Sequence, residues 1–175
     1  LKLSVFDWLG VRAAGADSGS DSETLRRISR SLDALDPARA RYLACFAFIL
    51  SRVANADLRI SPEETAEMQQ QVAAWGKLPE EQAVLVVEIA KGQNRLFGGT
   101  ENFSITKLFK EIADAEQREA LIHCLFAVSS ADDSITVTEE NEIWKIATEL
   151  GVTHSEFVAI RSEYRDKREV LRRLQ

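Results

Sequence analysis

Cysteine, histidine, methionine and proline are all scarce in this chain: two, two, one and three among 175 residues. The scarcity removes several function classes. Cys45 and Cys124 each sit inside an apolar run. They are expected to be buried thiols acting as small hydrophobes in a reducing cytoplasm, not a disulfide or redox pair. The few Cys and His residues show no zinc spacing; His123 reads as a hydrogen-bonded core or boundary histidine and His154 as an exposed one. No apolar run reaches 18 residues, and no charged-apolar-small signal pattern opens the chain. A phosphate-cradling glycine loop is missing, as is a nucleophile with a base and an orienting partner, so no enzyme is expected. No stretch alternates apolar and polar residues as a half-buried strand does.

What remains is the composition of one ordinary globular domain, 45% apolar and 29% charged. The net charge of −6 is unevenly placed. Residues 54–81 carry −4 and residues 132–149 carry −5, which leaves the remainder at +3. A surface acidic in two blocks does not track a phosphate backbone, so nucleic acid is excluded as an expected partner.

Residues 1–22 read as an N-terminal apolar segment followed by a flexible linker, and residues 23–175 as one helical domain. In the segment, Leu1, Leu3, Val5, Phe6, Trp8, Leu9 and Val11 form a short apolar face. The preferred expectation is a helix folded onto its own domain; the rival is an arm that makes peripheral membrane or partner contact. Residues 12–22 are rich in Gly, Ala, Ser and Asp, as linkers are. Leu25, Ile28, Leu32 and Leu35 recur at helical spacing up to Asp36 and Pro37, a cap followed by proline at the first helical position.

The next helix, from Pro37 to about Ala54, is apolar on most sides, which marks a central buried helix. Ser61 to Glu64 spells a capping box, and the helix that follows stops at Trp75 and Gly76, where glycine suits a left-handed cap. A further helix begins at Pro79 and ends near Gly92. After a loop containing Gly98 and Gly99, Ile105, Leu108, Phe109 and Ile112 mark a one-sided helix. A box at Asp114 and Gln117 opens a second central helix through Val128. Thr136 and Glu139 form another box, followed by a buried stripe of Ile143, Trp144, Ile146, Ala147 and Leu150. Thr153 caps a last helix whose end, from Arg161 to Arg173, has six bases and three acids.

Residues 41–82 align with 116–157 at a constant offset of 75, and nine of 42 pairs are identical. The identities include Asp57 with Asp132, Ile60 with Ile135, Glu64 with Glu139, Glu67 with Glu142 and Gly76 with Gly151. Because they fall on caps, helix stops and core positions, the chain reads as all-α, two similar multi-helix halves around two buried central helices.

Chemistry concentrates in the two repeated acidic loops. Asp57 and Glu64 in the first, and Asp132, Asp133 and Glu139 in the second, are the candidate metal residues. Carboxylate oxygens are hard ligands suited to Ca²⁺, Mg²⁺ or Mn²⁺. A regular EF-hand is rejected, since Val53 and Val128 occupy the first ligand position and no glycine precedes Ile60 or Ile135. The alternative is structural: acids in a first helical turn are favoured by the macrodipole and by capping alone. Glu64 and Glu139 fit that role, whereas capping leaves Asp57 and Asp132 unexplained.

With these residues in place, the chain resembles the TerB-like family of tellurite resistance proteins. The resemblance rests on Ala56, Asp57, Ile60 and Glu64, on Ala131, Asp132, Ile135 and Glu139, and on Ile146, Ala147, Leu150, Gly151, Val152, His154 and Phe157. It implies an all-helical fold with two halves around a shared core. It also implies a link to tellurite and chemical-stress resistance, divalent metal on Asp57, Glu64, Asp132 and Glu139, and protein partners in membrane-linked complexes. The expected function is a cytoplasmic stress-associated module that binds a divalent cation weakly and acts through protein partners. The alternative is a metal-free interaction or scaffolding domain with structural acidic caps.

Overall fold

The computed structural model describes residue 5 and residues 19–53, 61–92, 102–130 and 134–168. Eight α-helices run through them in chain order. They are α1 Gly19–Asp33, α2 Pro37–Val53, α3 Pro62–Trp75, α4 Glu80–Lys91, α5 Asn102–Ile112, α6 Ala115–Ser130, α7 Val137–Glu149 and α8 His154–Glu163. A 3₁₀ turn follows at Arg165–Lys167, and the only β pairing among the described residues is an isolated parallel bridge from Ile135 to Arg168. The all-α expectation holds.

Five of the eight helix starts have a side-chain cap. The Asp36 carboxylate accepts from the Ala38 and Arg39 N–H groups at 3.1 and 3.4 Å, and Pro37 has no donor to leave unpaired. Asp114 accepts from the Gln117 N–H at 2.8 Å while the Gln117 side chain accepts from the Asp114 N–H at 2.9 Å. Reciprocal boxes also open α3, α7 and α8.

Every side chain from Tyr42 to Ser51 is buried, so α2 is enclosed on all sides, and α6 is buried from Ala120 to Ala127 apart from His123. Phe46, Phe48, Phe109, Phe126 and Phe157 are among the largest fully buried side chains. Each contributes about 1.5–3 kcal/mol of burial free energy. Tyr42, Phe46 and Phe109 form one aromatic cluster, with ring centroids 5.3–6.3 Å apart. The halves are interlocked: α3, from the first half, packs on α6, while α7, from the second, packs on α2.

Four sequence expectations are corrected. Gly76 is not left-handed; its φ is −74°, and the left-handed residue is Lys77, with φ 52°. Gly76 is glycine for space, since a Cβ there would lie 3.0 Å from Phe46 Cζ. Both helix ends are Schellman-type, with Leu78 N–H donating to Ala73 O and Val152 N–H to Ala147 O. The left-handed residue of the second end is Gly151, at φ 75°.

The repeat is therefore not gapless. The caps Ser61 and Thr136 are 75 residues apart, but the next caps, Pro79 and Thr153, are 74 apart. Helix α3 has 14 residues against 13 in α7, so the identities Gly76/Gly151 and Glu81/Glu156 join residues with different structural roles.

Helix α1 begins at Gly19, inside the stretch read as linker. Trp144 and Ile112, read as stripe residues, are exposed. Trp144 covers Phe157 from outside at 4.7 Å between centroids, with the exposed His154 ring edge-on at 5.3 Å. In the N-terminal segment, Val5 is buried within the main core cluster; the other residues of that segment lie outside the described residues.

Candidate functional site

The repeated acidic loops meet their helices through closed capping geometry. The Ser61 hydroxyl accepts from the Glu64 N–H at 3.1 Å, and Glu64 Oε2 accepts from the Ser61 N–H at 2.6 Å. In the second copy the Thr136 hydroxyl accepts from the Glu139 N–H at 3.2 Å. Glu139 Oε2 accepts from both the Thr136 N–H and its hydroxyl at 2.8 Å. Each carboxylate thus satisfies donors that the helix start would otherwise leave open. An oxygen so engaged is poorly placed to bind a cation. Asp57, Asp132 and Asp133 lie outside the described residues. Among the described residues no group of three or more His, Cys, Asp or Glu side chains is arranged to hold a metal ion.

Next to Glu139, Glu140 is committed elsewhere. Arg168 donates to it from Nε at 2.8 Å and from a terminal nitrogen at 2.5 Å, and Arg161 adds a contact at 3.3 Å. The bridge between Ile135 and Arg168 holds the segment after α8 beside this helix start. The basic C-terminal stretch thereby neutralises part of the second acidic block from within the chain.

The strongest electrostatic feature is one that sequence reading missed. Arg52, in the last turn of α2, is 3% exposed in its side chain. It donates to Glu142 at 2.7 and 2.9 Å, to Glu149 at 2.8 Å and to the fully buried Thr106 hydroxyl at 2.8 Å. Burial opposes the charge, but the hydrogen bonds and attraction of Glu149 and Glu142 outweigh it and hold the guanidinium above its ordinary pKa. The available signals were an arginine ending a helix apolar on most sides and two glutamates seven residues apart, hence on one face of α7.

On α6, His123 is a half-buried boundary residue, as expected. Its ring stacks on exposed Trp75 at 5.4 Å and 12°, while the Tyr164 hydroxyl donates to the His123 carbonyl at 3.1 Å. Tyr164 in turn stacks on Phe126 at 5.2 Å. Cys45 and Cys124 are free and buried, and burial pushes both thiols up to about 12, which keeps them protonated and inert.

No described helix is long and apolar enough to cross a membrane. No curated protein and no solved structure matches the chain. One family model does match: that of the tellurite resistance protein TerB, over residues 42–162, which takes in most of α2, all of α6, both capped acidic loops and most of α8. This duplicated, interlocked helical chain belongs to the TerB family.

Proposed function

We propose that this TerB-family chain is a non-enzymatic helical module of tellurite and chemical-stress resistance that works in the cytoplasm through protein partners. In this reading its repeated glutamates build helix starts and do not hold a metal. The observation that carries it is the engagement of Glu64 and Glu139 by their own N-cap residues. A surface aromatic group supports the partner role. Trp75 is 39% exposed, stacked on His123 and tilted against Tyr164, and exposed aromatics are enriched at protein interfaces.

One feature favours a second reading. Asp57 and Asp132 recur at the same place before each cap, and capping does not require them. A weak divalent-cation site would then rest on Asp57, Asp132 and Asp133. Titration with millimolar Ca²⁺, Mg²⁺ or Mn²⁺ separates the readings. The first expects no change in melting temperature and no shift of the Asp57 and Asp132 amide signals. A saturable rise in melting temperature with shifts at both amides establishes the second.

A further inference from the structure

A cleft of about 240 Å³ lies between the first turns of α2 and α6 and the end of α3. It is separate from the repeated acidic helix starts and is lined by Arg39, Tyr42, Leu78, Asp114, Glu116 and Ala120, among others. Arg39 spends its Nε on the Gln82 side chain at 2.8 Å and lies 5.0 Å over the Tyr42 ring. No carboxylate among the described residues pairs with its guanidinium. The rim acids are already engaged: Glu116 pairs with Lys77 at 2.6 Å, and Asp114 caps α6.

Tyr42 supplies the independent observation. Its ring is fixed by stacking on Phe109 and the residue is 6% exposed, while its hydroxyl is not among the buried unpartnered atoms and meets solvent at the cleft. Burial pushes the phenol up to about 12, with Arg39 lowering it and Asp114 raising it, so it is a proton donor at neutral pH. A phenol held in place by its ring and a cation without a carboxylate partner therefore line one small space. Leu78 and Ala120 give that space an apolar wall.

We infer that this cleft binds a small organic monocarboxylate. Its oxygens take the terminal guanidinium N–H groups of Arg39 and the Tyr42 hydroxyl, and its short apolar body lies on Leu78 and Ala120. The volume is below that of sites for drug-sized ligands, which limits the body to a few carbons. Lys77 offsets Glu116, so Asp114 is the rim acid that opposes a second negative charge, which sets a monocarboxylate ahead of phosphate.

The test is a ¹H–¹⁵N titration of the full chain with butyrate, and in parallel with inorganic phosphate. Butyrate is expected to give saturable shifts at the Lys77, Leu78 and Ala120 amides and the Arg39 Nε. Phosphate is expected to bind more weakly. Tyr42→Phe keeps the ring and its stacking and should leave the melting temperature unchanged, and Arg39→Gln removes the charge together with the bond to Gln82; each should weaken butyrate about tenfold or more. The inference is overturned by the absence of saturable shifts, by shifts that persist unchanged in both variants, or by phosphate binding as tightly as butyrate.

Discussion

Helices α3 and α7 occupy equivalent places in the two halves, and each crosses to the central helix of the other half. The chemistry at the two crossings differs. Where α7 meets α2, buried Arg52 gathers Glu142, Glu149 and Thr106. Where α3 meets α6, the residue aligned with Arg52 is Ala127, and Glu67, aligned with Glu142, is exposed. Phe48 of α2 is likewise matched by His123 on α6, under an exposed tryptophan. The two halves share the capping boxes at Ser61 and Thr136 and differ at the crossings. One became a sealed join between halves, and the other a surface that presents a rigid aromatic group.

The largest expected effect comes from breaking the sealed crossing. Arg52→Ala strands two carboxylates against Thr106 and should cost about 3–5 kcal/mol in urea denaturation. A loss comparable to a surface substitution contradicts the join. The aligned glutamates sharpen the contrast: Glu142→Gln should cost about 1.5–3 kcal/mol, since it weakens a charge-assisted hydrogen bond. Glu67→Gln should stay within about 0.5 kcal/mol. Equal losses would mean that the crossings are energetically alike.

The two helix ends supply a smaller pair of effects. Gly151→Ala places a Cβ at φ 75° and should cost about 1–2 kcal/mol. Lys77→Gly, at the equivalent left-handed position, should raise the melting temperature despite loss of the pair with Glu116. If both changes lower it, the revised register of the repeat is wrong.

The smallest effect is pH-dependent. The Thr153 N–H and then its hydroxyl hold the Glu156 carboxyl below its ordinary 4.5. A folded pKa lowered in this way adds stability above pH 4.5, and that stability is lost as pH falls through the folded value. The stability gap between the wild type and Glu156→Gln should therefore shrink below about pH 4.5. A gap that widens there reverses the sign of this linkage.

These contrasts also show what the sequence could reveal. Capping boxes, proline at first helical positions and the unbroken apolar faces of α2 and α6 act locally, so helix starts and the two central helices were legible. The Arg52 join was not, because its two glutamate partners lie 90 and 97 residues away and read singly as surface acids. Gly76 misled because glycine has two uses, positive φ and close approach, and only the folded surroundings, Val72 O and Phe46, distinguish them. At the acidic loops the capping roles of Glu64 and Glu139 were legible as one of two alternatives, and their hydrogen bonds now support that one. The expectations for Asp57, Asp132 and Asp133 lie outside the described residues.

The central functional claim is that Glu64 and Glu139 are structural. Glutamine at the third helical position still closes a capping box but removes the charge that a hard cation requires. The most direct measurement is thermal unfolding of the Glu64→Gln, Glu139→Gln double variant beside the wild type, with and without millimolar Ca²⁺, Mg²⁺ or Mn²⁺. The account predicts that both proteins unfold at similar temperatures and that neither responds to the cation. A wild type that the cation stabilises, beside a double variant that it does not, contradicts it.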